Sequence, residues 1–188
     1  LACEDIAMAS TTFSGPVTST AGFISGTDSL VSVTADVTLT SASHAGRTMV
    51  LDVASGATVT LPAATGTGNV YKFFVKTTVT SNDYIIQVAS ADDTMAGVAI
   101  VANDSDASAS IFETAATSDT ITLDGSTTGG ILGGQIELQD VTSGVFSVTI
   151  RQAATGTEAT PFSAAVSEGL TDGQLEQQGA EQRQKGGS

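Results

Sequence analysis

The 188-residue sequence contains no tryptophan, one cysteine, one histidine, and six Lys and Arg residues against 20 Asp and Glu. Each shortage removes a class of function. The formal charge is −14, and affinity for a nucleic-acid backbone comes mainly from cations that displace condensed counterions. Nucleic acid is therefore not an expected partner. One Cys and one His supply neither a Cys/His metal set nor a disulfide framework, and they leave few groups to act as base or nucleophile. No catalytic residue, metal or cofactor is expected. A lone thiol leaves the redox compartment open, and Cys3 has no neighbouring base or cation to activate it. No run approaches the roughly 18 consecutive apolar residues that cross a bilayer, and no basic segment leads into an apolar run at the N-terminus. Membrane association is not expected. Leu1-Ala2-Cys3 matches the end of a lipoprotein signal without the apolar stretch that precedes one. Met8, followed by Ala9 and Ser10, is a candidate translation start, which would make residues 1–7 an upstream extension.

What the sequence does have is 40% hydrophobic residues, mostly small or β-branched, and 20 glycines. That composition suits tightly stacked strands. The length suits one domain with tails, and three zones are legible. Residues 1–29 are rich in Ser, Thr and Gly with isolated apolar anchors at Phe13, Val17, Phe23 and Ile24, and they read as an extended arm. Residues 30–166 alternate strand patterns with turn signals and form the body. Residues 167–188 are Gln/Glu/Gly-rich, with only Leu170 and Leu175 to bury, and read as a polar tail, flexible or partly helical.

In the body, Val31, Val33, Ala35, Val37 and Leu39 share one face of a period-2 segment, which predicts a half-buried strand. Further strands are predicted at 48–53, 58–61, 70–75, 85–89, 98–101, 110–113, 120–123, 135–141 and 145–151. Ser55-Gly56, Gly66 to Asn69, Ser81-Asn82-Asp83, Asp124-Gly125 and Ser143-Gly144 carry the turn chemistry of tight hairpins, so consecutive strands are expected to be antiparallel neighbours. One helical turn is predicted from Ser41, ended by Gly46. No internal repeat is evident. The expected fold is all-β, an antiparallel β-sandwich or jelly-roll-like domain with an extended N-terminal arm and a polar C-terminal tail.

Several clusters carry residue types suited to chemistry. Asn103-Asp104-Ser105-Asp106, with Asp92 or Asp93, offers oxygen ligands for a hard cation, but lacks the Gly and bidentate Glu of a calcium loop; an Asx-turn is the favoured reading. The pairs Asp119 with Asp124 and Glu137 with Asp140 suggest glycoside hydrolysis, yet Tyr71 and Tyr84 are the only tyrosines to line a sugar cleft. His44 has no serine and acid in any recognisable motif and reads as a turn residue. The glycines from Gly125 to Gly134 lack the Lys and helix of a phosphate loop and read as a flexible hairpin or bulge.

Four stretches carry a family resemblance: FSGPVTSTAGF, HAGRTMVLDVASGATVTLPAATGTGNVYKFFV, SNDYIIQVASADDTMAGVAI and DTITLDGSTTGG with GTEATPFSA. Over about residues 13–165 the chain resembles the head decoration, or cement, proteins of tailed bacteriophages. The G-R-T, L-D and G-A-T-V-T-L-P pattern is also similar to trimerising modules of phage tail fibres and spikes. The resemblance implies a non-enzymatic virion protein that trimerises on the outer surface of a capsid, with the major capsid protein as partner. It brings no catalytic residues. The arm residues Phe13, Val17, Phe23 and Ile24 are the expected partner contacts, since a segment of this kind can add a strand to a sheet edge while its aromatics fill pockets. A tail fibre or spike receptor-binding module is the alternative. A carbohydrate-binding or polysaccharide-cleaving protein is the second, and 5% aromatic residues argue against it.

Overall fold

A computed structural model describes residues 29–167. The described chain is mostly β. Its strands are β1 (Leu30–Val33), β2 (Val37–Thr38), β3 (Thr48–Leu51), β4 (Ala57–Thr60), β5 (Val70–Val75), β6 (Tyr84–Gln87), β7 (Thr94–Ala102), β8 (Ala109–Glu113), β9 (Thr120–Leu123), β10 (Gln135–Thr142), β11 (Val145–Ala153) and β12 (Phe162–Ser163), with one short helix, α1 (Ser41–His44). They form a seven-stranded sheet in the order β1-β3-β5-β10-β11-β7-β8 and a five-stranded sheet in the order β12-β9-β6-β4-β2.

Period-2 patterning decides which face of each strand is buried. Ile136, Leu138 and Asp140 of β10 point inward while Gln135, Glu137 and Gln139 point out, and β11 buries Phe146, Val148 and Ile150 in the same way. From the smaller sheet, Val59, Tyr84, Ile86, Ile121 and Leu123 join the same hydrophobic cluster. Tyr71 and Phe146 meet edge to face within it, with ring centroids 6.4 Å apart.

The pairing differs from the expected chain of hairpins. Only β7 with β8 and β10 with β11 are sequence neighbours that pair. β1, β3 and β5 lie parallel in the larger sheet, β2, β4 and β6 lie parallel in the smaller one, and β7 is parallel to β11. The chain therefore winds from one sheet to the other three times before its later strands close the sheets with antiparallel partners. The turn signals are at the expected places but serve a different purpose. Ser55-Gly56 and Ser81-Asn82-Asp83 are corners between sheets, and these corners stack on one another. Ala57 donates its amide to Asp83 O, Asn82 Nδ2 donates to Ser55 O at 3.0 Å, and a Cβ on Gly56 (φ +79°) would lie 2.4 Å from Asp83 O. The Tyr84 hydroxyl joins the same stack, accepting from Val53 N and donating to Thr77 O, each at 3.0 Å.

The long strand expected around Val31 to Leu39 is two strands in different sheets. The break falls near Asp36, whose carboxylate accepts from Thr58 N at 2.8 Å. Its apolar alternation survives because both sheets face the same core. The helical turn is present, with Thr40 Oγ1 accepting from Ser43 N at its start and Gly46 (φ +74°) beyond its end.

Candidate functional site

Phe13, Val17, Phe23 and Ile24 lie outside the described residues. The candidates within the described residues are placed, and hydrogen bonding within the fold accounts for most of the aspartates. Asn103 to Asp106 form the turn of the β7–β8 hairpin: Asp106 accepts from the Ser108 amide at 2.9 Å and from its hydroxyl, and Asp104 accepts from Gly156 N at 3.2 Å. Asp93 is buried and accepts from Ala64 N at 3.0 Å. Glu137 and Asp140 sit on opposite faces of β10, so they share no cleft. Asp119 accepts from Thr120 Oγ1, Ala165 N and Val166 N. Asp124 accepts from Ser126 N, Thr127 Oγ1 and Thr128 N. Burial alone would raise the Asp124 carboxyl, but these donors hold it well below the usual carboxylate range. The glycine-rich stretch after it folds back as a turn, with Gly125 N donating to Gly129 O. His44 Nδ1 accepts from Thr40 N at 3.0 Å. No group of three or more metal-ligating side chains occurs among the described residues. Tyr71 and Tyr84 are buried and offer no sugar platform.

The most elaborate of these arrangements is at Asp140. Its carboxylate is buried in β10 and accepts from Thr65 N (3.0 Å), Gly66 N (2.6 Å), Thr67 N (3.0 Å) and Thr67 Oγ1 (2.6 Å). Burial pushes the carboxyl up, the donors outweigh it, and the group ends below its ordinary value. This aspartate fixes the passage from β4 to β5.

What remains open is the outer face of the larger sheet. Strand register sets Leu30, Thr48, Lys72, Glu137 and Thr149 in one row across it. Val50, Phe74, Gln135, Arg151, Ile100 and Ile111 form the next. The two rows enclose a groove of about 440 Å³ between Thr48, Phe74, Gln135, Thr149 and Arg151. Lys72 and Glu137 pair across it at 3.5 Å, both about half exposed, so the pair contributes little to stability. Leu30 is 64%, Ile111 66% and Ile100 41% exposed. The four cations among the described residues, Arg47, Lys72, Lys76 and Arg151, lie on strands of this sheet or on the residue flanking one. Known proteins offer no guide to this surface. Neither protein-family models, curated proteins nor solved structures give a match. Sequence reasoning missed this face because its rows unite strands far apart in the chain. The outward residues of β10 and β11 were visible by alternation, but nothing local placed β5 and β7 beside them.

Proposed function

We propose that this chain is a non-enzymatic virion structural protein that decorates and stabilises the outer surface of a phage capsid as a trimer, bound to the major capsid protein. The observation that carries the reading is the open face of the larger sheet. It combines three exposed large aliphatic side chains with Lys72 and Arg151, two of the few cations of a protein of net charge −14. An exposed apolar patch with polar neighbours is the usual mark of a protein contact. The resemblance of residues 13–165 to head decoration proteins supports the same reading, as does a body whose buried carboxylates hold its own loops. The body is a β-sandwich in this view, with parallel as well as antiparallel pairs. Strong negative charge disfavours contact with packaged DNA and favours the outside of the shell. Trimerisation lets weak contacts act together, because the second and third become intramolecular. Phe13, Val17, Phe23 and Ile24 in the arm are the proposed anchors.

Imaging of intact particles tests the location: density on the head supports the reading, and its absence from the head sinks it. The double variant Phe13→Ala, Phe23→Ala should lose occupancy on particles while the purified body melts as before; full occupancy would remove the arm as anchor. A tail fibre or spike module is the second reading. It is favoured by the winding of β1 to β6 between sheets, an arrangement that extends by repetition, and density on the tail would select it.

A further inference from the structure

We propose that the free edge of β8 pairs with β8 of a second copy of this chain, antiparallel and centred on Ile111. This goes beyond the capsid reading and does not depend on it. Four strands end the two sheets, namely β1, β8, β12 and β2. β2 and β12 have two residues each, too few to template a partner, and β1 has four. β8 is the longest, with five residues from Ala109 to Glu113. Such an edge invites another strand unless Lys, Pro, a bulge or a covering loop blunts it. β8 contains neither Lys nor Pro, and its register with β7 runs without a shift. Among the described residues no strand pairs with its far side.

Hydrogen bonds at the two ends of the β7–β8 ladder identify the free groups. Asn103 N donates to Ser108 O, and Thr114 N donates to Gly97 O, so 103 with 108 and 97 with 114 are hydrogen-bonded pairs. Such pairs alternate along an antiparallel ladder. The main chain of Ser110 and Phe112 therefore faces β7, while that of Ala109, Ile111 and Glu113 faces away from it. The same three residues have exposed side chains.

A second copy supplies the complement. A two-fold axis through Ile111 sets Ile111 opposite Ile111 and Ala109 opposite Glu113, and in each of these pairs the outward amides and carbonyls exchange hydrogen bonds. Moving the centre to Ser110 or Phe112 would set one outward residue of each copy against a residue beyond β8. In the register on Ile111 the one charge of the strand, Glu113, meets an alanine, so no carboxylate faces another between copies of charge −14. On the core side Ser110 of one copy lies beside Phe112 of the other, a residue that is only partly buried against the core. On the outer side Ile100 stands opposite Ile111 across β7 and β8, so an unbroken row of isoleucines crosses the junction. The axis is normal to the sheet. Both outer faces therefore stay open on the same side, and the face proposed for the capsid is doubled rather than covered.

The test uses the free full-length protein, so its failure leaves the capsid reading untouched. Ile111→Pro removes an amide that faces away from β7, which spares the β7–β8 ladder and blocks the central pair. Ile111→Lys keeps that amide and sets two cations face to face, which covers the case in which proline disturbs the strand. In sedimentation over a concentration series, wild type should self-associate at concentrations about tenfold or more below those either variant needs. The register is tested by oxidation in a Cys3→Ser background. Ile111→Cys would bring the two Cα atoms to about 5.5 Å, within disulfide reach. Ile100→Cys, exposed on the same face, would lie about 14 Å from its copy, across three strand spacings. The Ile111→Cys protein should form disulfide-linked pairs about tenfold or more faster than the Ile100→Cys protein. Equal rates at the two positions, or association unchanged in both Ile111 variants, would overturn the pairing.

Discussion

Replacing Asp140 by alanine tests whether buried carboxylates, rather than hairpin turns, hold the connections of this fold. The substitution removes the acceptor of three backbone amides and one hydroxyl, and the amides of the exposed residues 65–67 are left to water, with nothing to pin the loop to β10. Hydrogen bonds to a charged acceptor contribute about 1.5–3 kcal/mol each, and four in one network are not additive, so a loss of about 3–5 kcal/mol is expected. For a chain of this length that lowers the melting temperature by about 6–20 °C. Asp140→Asn should fall between wild type and alanine. One oxygen still accepts from Thr65 and Gly66, while the new amide faces the Thr67 donors. The carboxyl lies below its ordinary value in the folded protein. Its contribution is therefore complete above the unfolded Asp value of about 3.9 and is lost as pH falls below it. Urea midpoints measured between pH 3 and 7 should show a steeper acid decline for wild type than for Asp140→Asn. Asp104→Ala, which removes a single acceptor for Gly156 N, is the control. If Asp140→Ala costs no more than this control, the pinning role is wrong.

Tyr84→Phe should cost about 1–3 kcal/mol in urea unfolding, because Val53 N and Thr77 O both lose a partner in a stacked corner; an unchanged midpoint would show that water replaces the hydroxyl. Burial raises both tyrosines, Tyr71 and Tyr84. An absorbance titration should then place the tyrosine step of the folded protein above that of the unfolded chain, and stability should hold below about pH 10 and fall as pH rises beyond it. Gly97→Ala would place a Cβ 1.8 Å from Val148 O. The obstacle is main chain, so β7 must move off β11, and a loss of about 3 kcal/mol or more is expected by thermal melting. Ala96→Ser, at an exposed neighbour on β7, should leave the melt unchanged.

The β class, most strand positions and the turn residues were legible because each depends on local spacing and on residues suited to particular backbone angles. Partner choice was not. The chemistry of Ser55-Gly56 and Asn82 is the same whether a turn closes a hairpin or rounds a corner between sheets, and the local pattern favours neither. The winding also hides from a search for repeats. Thr48 follows its partner Leu30 by 18 residues, Lys72 follows Thr48 by 24, and Tyr84 follows Ala57 by 27, so no fixed period links the stacked strands. The acidic pairs looked like candidates for chemistry because carboxylates that accept backbone amides resemble carboxylates in a cleft until burial and facing are known. β12 was missed because two residues beside Pro161 carry no periodicity.

The winding of β1 to β6 also dictates how the body can assemble from an unfolded chain. Each parallel pair there joins residues 18 to 27 apart, so a long loop must close before any ladder bond rewards it, and such pairings form slowly. The β10–β11 hairpin is different, since Thr142 and Val145 meet across two residues. It also holds the middle of the larger sheet, with β5 on one side and β7 on the other. Joining that hairpin to the wound half closes a longer loop still, since Gln135 meets Phe74 and Gln139 meets Val70, 61 and 69 residues apart. By the same reasoning the β5–β10 seam is the costliest pairing of the larger sheet to close, and it is where the wound half and the hairpin half meet.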